Sequence, residues 1–578
     1  MVTTVISATT DGFTTLDSGD TFLLLQGITN HSNFDPVRDA DLKSTQKINV
    51  QIDGNLIGVN GNAINFDDPL GEGSLITIGQ TGSISSYGDV GIGNGIFLAH
   101  STGRIVNYGT ITANGDGIEL AATDISVENY GTITGDRAIA NDLFPANTSI
   151  YNSGILSGST GVIKTAGALT LINSGQIRLT APPQFTASIE TSNDRDSINN
   201  SGEITGNISL EGGSDTLVNS GYINGTIITG AGNDTVTNSG LIEGNIILGD
   251  GNNTYDGRFG EVTGSINAGA GGTTILGGEA IEKVGFSGRG NTIKVGGGDD
   301  TVTGHFSIGQ INTLDGGSGV DSLNISTIFV TSDLVFDMRT GLFTLPNQTT
   351  QSFENFENFN LLAHFGAATV LGTLGDNDIS VNANGGGTIK GFFGNDILTG
   401  NNTAVNIDGG GGDDVLTGGA TGNDVLNGGT GDDTVFGRGG NDKIFGAAGD
   451  DTLNGNDGND RIKGNQGNDI LNGGAGNDDL FGGSGNDTIT GGAGDDILRG
   501  EAGADIFVFQ TGANIDRIRD WQDDSDHIDL TSYNFADATT ALTQFIQQGA
   551  NVRFVDGSDT LVIEGVQLAD ITAADLIL

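Results

Sequence analysis

The amino-acid sequence predicts an all-β solenoid in three parts: a parallel β-helix, a parallel β-roll and a small C-terminal cap. Two repeat systems predict this fold, one with steps of 19 to 27 residues in the first half and one with a period of nine residues in the second half. Glycine supplies 100 of the 578 residues, as expected for short strands joined by many turns. Because such a repeat buries its apolar side only against its neighbours, the pattern favours stacked coils.

The β-helix is predicted over residues 1–312. Its repeated phrase is Asn, then Ser or Tyr, then Gly, any residue and an aliphatic residue. The phrase begins at Asn107, Asn129, Asn152, Asn173, Asn200, Asn219 and Asn238. Short apolar runs bounded by Asn-Gly or Ser-Gly accompany it, which predicts one coil of strands and turns per phrase. We expect the asparagines to form a structural column at a corner where a positive φ is tolerated.

Two parts of the sequence between the repeats are less regular. Residues 11–105 are predicted to form the first coils, and a loop around residues 182–183 accounts for the longest step between asparagines. Residues 313–390 are predicted to be transitional, with irregular coils in the phenylalanine-rich segment 336–365.

The β-roll is predicted over residues 391–508, where the sequence is organised in units of nine. Gly occupies the first position and, in most units, the fourth, while Asp occupies the sixth and an apolar residue the eighth. The eighth residue points inward from a short strand, and the turn needs positive φ angles that Gly supplies. Two units make one coil of 18 residues, so Asp433 is expected above Asp451, and Asp442 above Asp460.

Stacked aspartates of this kind predict calcium sites. Ca²⁺ takes about six to eight oxygen ligands at about 2.3–2.6 Å, which carboxylates and turn carbonyls of successive coils can supply, whereas Mg²⁺ needs a more compact octahedron. Each unit buries about one aliphatic side chain, too little to offset about 1–2 kcal/mol of backbone entropy per residue. We therefore expect folding to be coupled to the binding of multiple Ca²⁺ ions. The predicted ligands are Asp396, Asp414, Asp424, Asp433, Asp442, Asp451, Asp460, Asp469, Asp478, Asp487, Asp496 and Asp505.

The periodicity stops at Val508, and a C-terminal cap is predicted over residues 509–578. This segment contains the one tryptophan, Trp521, a short helix predicted near 538–548 and a strand predicted near 560–563. A solenoid needs a segment that covers its last coil, and this one fits that need.

Composition excludes several classes of function. The 22 basic and 72 acidic residues give a formal net charge of -50, which would repel nucleic acid and disfavours an anionic membrane surface. No apolar run approaches about 18 residues, so no transmembrane segment is expected. The absence of cysteine excludes disulfides and thiolate metal sites. The N-terminal residues lack a basic region followed by a long apolar region, so no cleaved secretory signal is expected.

The nine-residue units resemble those of the RTX family of secreted proteins, whose glycine–aspartate repeats form calcium-loaded parallel β-rolls. The resemblance covers residues 391–508, and the segment 336–365 and the tail are similar to segments seen around such arrays. It implies export by a type I (ATP-binding-cassette) secretion machinery, with an uncleaved signal within 509–578. The first half resembles the β-helical passenger repeats of bacterial adhesins.

The sequence shows no catalytic constellation. The His-Glu-x-x-His signature of metalloproteases and the Gly-x-Ser-x-Gly elbow of common lipases are absent. The alternative is a β-helical polysaccharide lyase or uronate epimerase, which needs a cation for the sugar carboxylate and a general base. Residues 33–36 are similar to an epimerase motif but precede Val37 where His is expected. Asp194, Arg195 and Asp196 lie in the longest loop, where solvated charges are the simpler interpretation.

These observations favour a secreted, extracellular calcium-binding protein with a structural or adhesive role at a bacterial cell surface or in an extracellular matrix. Calcium ions and the type I machinery are its expected partners, and a cell-surface glycan or further copies of the chain are the candidate targets. A catalytic role is the less favoured interpretation, in which the alternative is the glycan-active lyase or epimerase.

Overall fold

A computed structural model shows two compact units, residues 1–300 and 301–578. The structure describes residues 3–6, 10–11, 21–24, 29–32, 49–59, 62–66, 74–87, 93–99, 102–121, 124–141, 143, 145–180, 187–306, 311–327, 332–344, 350–401, 403–523 and 525–578. The epimerase-like segment 33–36 and the loop at 182–183 lie outside these residues. The division into four parts predicted from the sequence is not decided by these units and stays a proposal.

In residues 1–300 the described strands lie on three faces of a parallel β-solenoid. Face 1 contains Thr3–Ile6, Thr21–Leu24, Asn49–Ile52, Ser74–Ile78, Gly103–Asn107, Ile125–Asn129, Thr148–Asn152, Leu169–Asn173, Ser197–Asn200, Thr216–Asn219, Thr235–Asn238, Thr254–Asp256, Thr274–Leu276 and Thr292–Gly297. Face 2 contains Thr10–Asp11, Thr29–Ser32, Asn55–Val59, Ser83–Tyr87, Thr110–Ala113, Thr132–Gly135, Ile155–Gly158, Gln176–Leu179, Glu203–Thr205, Tyr222–Asn224, Leu241–Glu243 and Glu261–Val262. Face 3 contains Ile64–Phe66, Ile96–Ala99, Ile118–Ala121, Ile139–Asn141, Ile163–Thr165, Ala187–Glu190, Asn207–Ser209, Ile227–Ile228, Ile246–Ile247, Ile266–Asn267 and Lys283–Phe286.

The core of this unit consists of aliphatic columns. Ile105 pairs with Val127, which pairs with Ile150 and then Leu171 in successive parallel strands of face 1. All four are buried because alternate residues of a strand point to the same side. The parallel β-helix predicted from the repeated phrase is therefore confirmed.

The repeated asparagines form a buried ladder at the corner after face 1. The Nδ2 of Asn152 donates to the Oδ1 of Asn173, and the Nδ2 of Asn173 donates to the Oδ1 of Asn200, each at 2.7 Å. The prediction of a positive φ for these asparagines is wrong, since none of the seven has one. They are selected instead because a primary amide both donates and accepts, so identical side chains satisfy one another when stacked. The glycine two residues on is needed for space: a Cβ on Gly175 would lie 2.2 Å from the carbonyl oxygen of Gly154.

The described strands of residues 301–578 lie on two main faces. Face 4 contains Thr313–Ser318, Leu334–Asp337, Leu342–Thr344, Thr350–Glu354, Ala368–Leu371, Gly387–Phe393, Val405–Gly411, Val425–Thr430, Lys443–Ala448, Arg461–Gln466, Asp479–Ser484, Ile497–Ala502, Ile515–Ile518, Phe545–Gln548, Asn551–Asp556 and Asp559–Ile563. Face 5 contains Thr301–His305, Ser322–Thr327, Asn358–His364, Asp378–Ala383, Ile397–Gly400, Val415–Thr417, Thr434–Phe436, Thr452–Asp457, Ile470–Ala475, Thr488–Ala493, Ile506–Val508, His527–Asp529 and Leu576–Ile577.

The nine-residue units form a parallel β-roll. Lys443–Ala448 pairs with Arg461–Gln466, and Ile444 lies directly beside Ile462, an offset of 18 residues that confirms two units per coil. The apolar eighth residues, such as Ile444 and Leu453, are fully buried. One such side chain from each unit makes up the interior of the roll.

The phenylalanine-rich segment is more regular than predicted on face 5, whereas the parallel pairing of face 4 is interrupted. Ser322–Thr327 and Asn358–His364 pair in parallel with one register shift. On face 4 the chain turns back, so that Leu342–Thr344 pairs antiparallel with its neighbours on both sides. The ring of Phe336 stacks on that of Phe343 at 4.2 Å between centroids, and a buried aromatic cluster fills this part of the core.

The C-terminal segment covers the last coil with an antiparallel meander. Asp559–Ile563 pairs in parallel with Ile515–Ile518, and Phe554 lies edge-on to Phe509 with centroids 5.8 Å apart. The helix predicted near 538–548 is shorter in the structure: one α-helix spans Ala538–Leu542, and Phe545–Gln548 is a strand. Short 3₁₀ helices span Thr531–Tyr533, Leu568–Asp570 and Ala573–Asp575.

The asparagine ladder gives a prediction about stability. Asn173→Ala removes both a donor and an acceptor: the Oδ1 of Asn200 loses its donor, and the amide of Asn152 keeps only the carbonyl oxygens of Gly154 and Gln176. We expect the free energy of unfolding to fall by about 1–3 kcal/mol, the usual cost of an unsatisfied buried group. Urea unfolding of the full chain, followed by circular dichroism, measures this change. Ser153→Ala at an exposed neighbouring position is the control, and an equal effect of both substitutions would contradict the ladder's role.

Candidate calcium-binding site

The turns of the nine-residue units with Asp at the sixth position share one backbone conformation. Their second and fourth residues have left-handed φ angles, as at Asn456 (74°) and Gly458 (134°), or Ala447 (90°) and Gly449 (135°). Asn and Ala are tolerated at the second position despite the strain, whereas each of these fourth positions keeps Gly. Each such turn thus contains two left-handed residues separated by one residue that is not left-handed.

The first glycine of the unit has a different role, since it gives space to a carboxylate. A Cβ on Gly428 would lie 2.2 Å from the Oδ2 of Asp433, and one on Gly464 would lie 2.1 Å from the Oδ2 of Asp469. Any side chain at this position would therefore displace the aspartate of its own unit. Glycine at the first position is therefore required by the aspartate at the sixth position of the same unit.

The aspartates form two hydrogen-bonded rows. The backbone N–H of Asp433 donates to the Oδ1 of Asp451 at 2.8 Å, and that of Asp451 donates to the Oδ1 of Asp469 at 2.9 Å. In the other row the N–H of Asp442 donates to the Oδ1 of Asp460 at 2.7 Å. The predicted stacking of aspartates 18 residues apart is confirmed. The Oδ1 of each of the twelve predicted ligands accepts such a bond from the coil before.

The second oxygen of these carboxylates is buried and lacks a hydrogen-bond partner. This holds for the Oδ2 of Asp396, Asp414, Asp433, Asp442, Asp451, Asp460, Asp469, Asp478, Asp487, Asp496 and Asp505. Asp424 is different, because its Oδ2 accepts the N–H of Gly419 at 2.7 Å. Asp424 belongs to the unit with ten residues, so the inserted residue brings a backbone donor to the place where the other carboxylates have none.

Burial makes the ionised form of these carboxyls unfavourable. It raises the pKa of Asp433 and Asp451 to about 7 and that of Asp469 to about 6, against the lowering effect of the backbone N–H donor. Neighbouring carboxylates add to the rise. A buried carboxylate that has lost water on one side needs a compensating positive charge at neutral pH.

Carbonyl oxygens converge on the same space. The position of a Cβ on Gly464 is 2.1 Å from the Oδ2 of Asp469 and 2.5 Å from the carbonyl oxygen of Gly482 in the next coil. A carboxylate oxygen and a carbonyl oxygen from two successive coils thus lie close to one glycine. Oxygens of these two kinds are the ligands that a hard cation such as Ca²⁺ prefers. In the described residues no three His, Cys, Asp or Glu side chains are close enough to hold a metal. An ion held here would have backbone carbonyl oxygens, such as that of Gly482, among its ligands.

The structure adds members to the rows that the repeat pattern missed. The N–H of Asp496 donates to the Oδ1 of Asp516, and that of Asp505 to the Oδ1 of Asp526, each at 3.1 Å. Both lie beyond Val508, where the glycines are lost. The shared signal is an aspartate two positions before a buried aliphatic residue, as in Asp516 followed by Ile518.

The raised pKa values predict how the calcium-free array responds to pH. Their folded-state values of about 6 to 7 exceed the unfolded value of about 4. The protonated carboxyls therefore stabilise the fold below about pH 4, and this contribution is lost as the pH rises through about 7. We expect metal-stripped protein to show more β-sheet signal in circular dichroism at about pH 5.5 than at about pH 8, and excess calcium to remove the difference. Equal calcium-free signals at both pH values would contradict this account of the buried carboxyls.

Comparison with known proteins agrees with the geometry of this region. A family model described as the RTX calcium-binding nonapeptide repeat (4 copies) matches residues 390–421, 419–453, 445–480, 454–489 and 481–515. No curated protein matches the chain. The described part of the chain has no helix that is long and apolar enough to cross a membrane.

Two solved structures are similar to parts of the chain. The extracellular lipase LipA from Serratia marcescens is 19% identical with a TM-score of 0.16, over 38% of this chain and 41% of the lipase chain. This chain thus spans less than half of that structure. The AlgE6R3 subunit of the Azotobacter vinelandii mannuronan C5-epimerase is 21% identical with a TM-score of 0.14, over 27% of this chain and 80% of that subunit.

The nine-residue units, their left-handed turns and the family match agree on one identification. The C-terminal part of this β-solenoid protein is an array of RTX calcium-binding nonapeptide repeats, which implies multiple Ca²⁺ ions.

Proposed function

We propose that the chain is a secreted calcium-binding protein with a structural or adhesive role at a bacterial cell surface or in an extracellular matrix. We further propose that the predicted aspartates of residues 391–508 hold its calcium ions, with Asp424 contributing least through its second oxygen. The observation that carries this proposal is the double row of buried carboxylates, eleven of which have an oxygen with no hydrogen-bond partner.

Calcium binding and export are linked by the physical properties of the array. Without a cation, the buried carboxylates oppose the packed state, and one aliphatic side chain per unit compensates only in part. A low calcium concentration inside the cell would keep the array unfolded and able to pass a type I channel, and external calcium would then fold it. A signal within residues 509–578 fits this route. Continued export of a variant that lacks 509–578 would contradict it.

The β-roll should fold when calcium is added. Adding Ca²⁺ to metal-stripped full-length protein should produce a cooperative gain of β-sheet signal, with a midpoint near the ~10⁻⁴–10⁻³ M range of extracellular calcium modules. Magnesium should not produce it. Circular dichroism at neutral pH measures the transition, and an unchanged signal from zero to excess calcium would contradict the proposal.

A matched pair of variants separates the sites from general acidity. Asp469→Asn keeps the Oδ1 that accepts the N–H of Asp451 but replaces Oδ2 by an amide nitrogen, so the calcium midpoint should rise severalfold. Asp457→Asn removes an equal charge at an exposed position and should leave the midpoint unchanged.

An adhesive role is supported by a row of tyrosines on the surface of residues 1–300. The rings of Tyr108 and Tyr130 stack with centroids 4.9 Å apart, and Tyr151 continues the row at 5.6 Å. These side chains are 45%, 41% and 37% exposed, respectively, although they are large and partly apolar. Exposed aromatic rows with phenolic hydroxyls are typical of binding surfaces, and a cell-surface glycan fits their mixed apolar and hydrogen-bonding character.

The corresponding test is binding to an array of neutral and acidic oligosaccharides. The double variant Tyr108→Ala with Tyr130→Ala should bind at least about tenfold more weakly, the effect of losing about 1.4 kcal/mol of contact energy. Phe259→Ala, at an aromatic residue that is 82% exposed outside the row, is the control. Undiminished binding by the double variant would remove the row from the adhesive surface.

The alternative is a glycan-active lyase or epimerase, and its candidate site is one polar cavity. The cavity measures about 390 Å³ and is lined by residues that include Asp116, Glu119, Arg137, Lys164 and Glu190. Arg137 pairs with Asp116 at 2.6 Å, and Lys164 pairs with Glu190 at 2.9 Å. Both cations are thus already neutralised, and with a further acid the cavity would repel a uronate.

The charged residues 194–196 give the lyase or epimerase alternative even less support. Asp196 is buried with its Oδ1 accepting the N–H of Leu169, so it is not free to hold a sugar, and only Asp194 and Arg195 of the trio are exposed. Depolymerisation or epimerisation of any member of a polyuronate panel by the purified protein would reverse this preference.

A further inference from the structure

A shorter row of buried aspartates lies in residues 1–300, outside the repeats that the RTX model matches. The N–H of Asp196 donates to the Oδ1 of Asp215 at 2.7 Å, and the N–H of Asp215 donates to the Oδ1 of Asp234 at 2.9 Å. Each of the three residues is 1% exposed, and each has a buried Oδ2 without a hydrogen-bond partner. These aspartates therefore have the same hydrogen bonding as those of the array, although their coils contain 19 residues instead of 18.

The turns before Asp215 and Asp234 also have the backbone conformation found in the array. The residues four and two positions before Asp234, Gly230 and Gly232, have φ angles of 90° and 149°. In the coil before, Glu211 and Gly213 have φ angles of 58° and 123°. A Cβ on Gly230 would lie 1.8 Å from the carbonyl oxygen of Glu211, so the two turns are stacked closely. A left-handed glutamate is unusual and indicates that the surrounding structure holds this turn in place.

The next two coils provide an internal comparison. The row continues from Asp234 to Asn253, whose Oδ1 accepts the N–H of Asp234 at 2.9 Å. The Nδ2 of Asn253 then donates to the carbonyl oxygen of Leu248 at 2.7 Å. One coil later, Thr273 donates its hydroxyl to the carbonyl oxygen of Ala268, also at 2.7 Å. In both coils a hydrogen satisfies the carbonyl five residues earlier.

The aspartates cannot make that bond when they are ionised. Thr235 pairs directly with Thr254, so Asp234 has the same place in its coil that Asn253 has in the next. A carboxylate only accepts hydrogen bonds, so the Oδ2 of Asp234 has no hydrogen to donate to a carbonyl oxygen. A cation can fill the position that the amide hydrogens of Asn253 occupy.

We propose that the corner formed by residues 211–215 and 230–234 binds a hard divalent cation, with Ca²⁺ the best match, through the Oδ2 atoms of Asp215 and Asp234 and nearby turn carbonyls. The site differs from those of the array. Leu210 and Thr229 stand where the array has its first glycine, and the aspartates occupy one edge of the coil only. This inference is independent of the proposed function, because it concerns coils outside the array.

Hydrogen–deuterium exchange of the full-length protein tests the site locally, by mass spectrometry of peptides that cover residues 210–256 at about pH 8. We expect calcium to slow exchange in these peptides relative to metal-stripped protein at least about threefold. Exchange that is equal with and without calcium would overturn the proposal.

Two variants distinguish this site from an indirect effect of the array. Asp215→Asn with Asp234→Asn imitates Asn253, so the peptides should stay protected and lose their response to calcium, while the array keeps its own response. A calcium response that persists in this double variant would show that it originates elsewhere and would overturn the proposal. Asn253→Asp should extend the row and make the following coil calcium-dependent, and failure of this gain would also count against the site.

Discussion

The hydrogen bond from a backbone N–H to the carboxylate of the next coil is the interaction on which the β-roll depends. It uses one oxygen of each aspartate and holds the other inside the corner, as between Asp433 and Asp451. The rest of the nine-residue unit follows from this bond. The first glycine leaves space for the second oxygen, the left-handed residues turn the carbonyls toward it, and the aliphatic eighth residue fills the interior.

The two parts of the chain stack identical side chains in opposite ways. Asn173 and its neighbours carry both a donor and an acceptor, so their ladder is complete without any other partner. The aspartates carry acceptors alone, so their rows accumulate buried negative charge as coils are added. The first kind of stack is expected to fold without metal, whereas the second depends on cations. This contrast gives a physical reason to expect that the β-roll assembles only where calcium is present.

Much of this architecture could be predicted from the sequence, because repeats make local signals additive. The 18-residue coil and the stacking of Asp442 on Asp460 follow from the period alone. The position of the asparagine corner was predicted correctly, but the prediction of a positive φ there was wrong. Asn is favoured both at positions with a positive φ and in stacked side-chain ladders, and the sequence alone does not distinguish these two reasons. The helix predicted near 538–548 ends at Leu542, because Phe545–Gln548 pairs as a strand with Asn551–Asp556. Asp215 and Asp234 were missed because the flanking glycines follow a 19-residue period.

A crystal structure of the calcium-loaded protein, with ions located by their anomalous scattering, tests the central claim most directly. The account predicts ions at about 2.3–2.6 Å from the second carboxylate oxygens of the array, with turn carbonyls completing each shell. Asp424, whose second oxygen already accepts the N–H of Gly419, should have the least occupied position. Carboxylate oxygens that remain without any ion in saturating calcium at neutral pH would contradict the account.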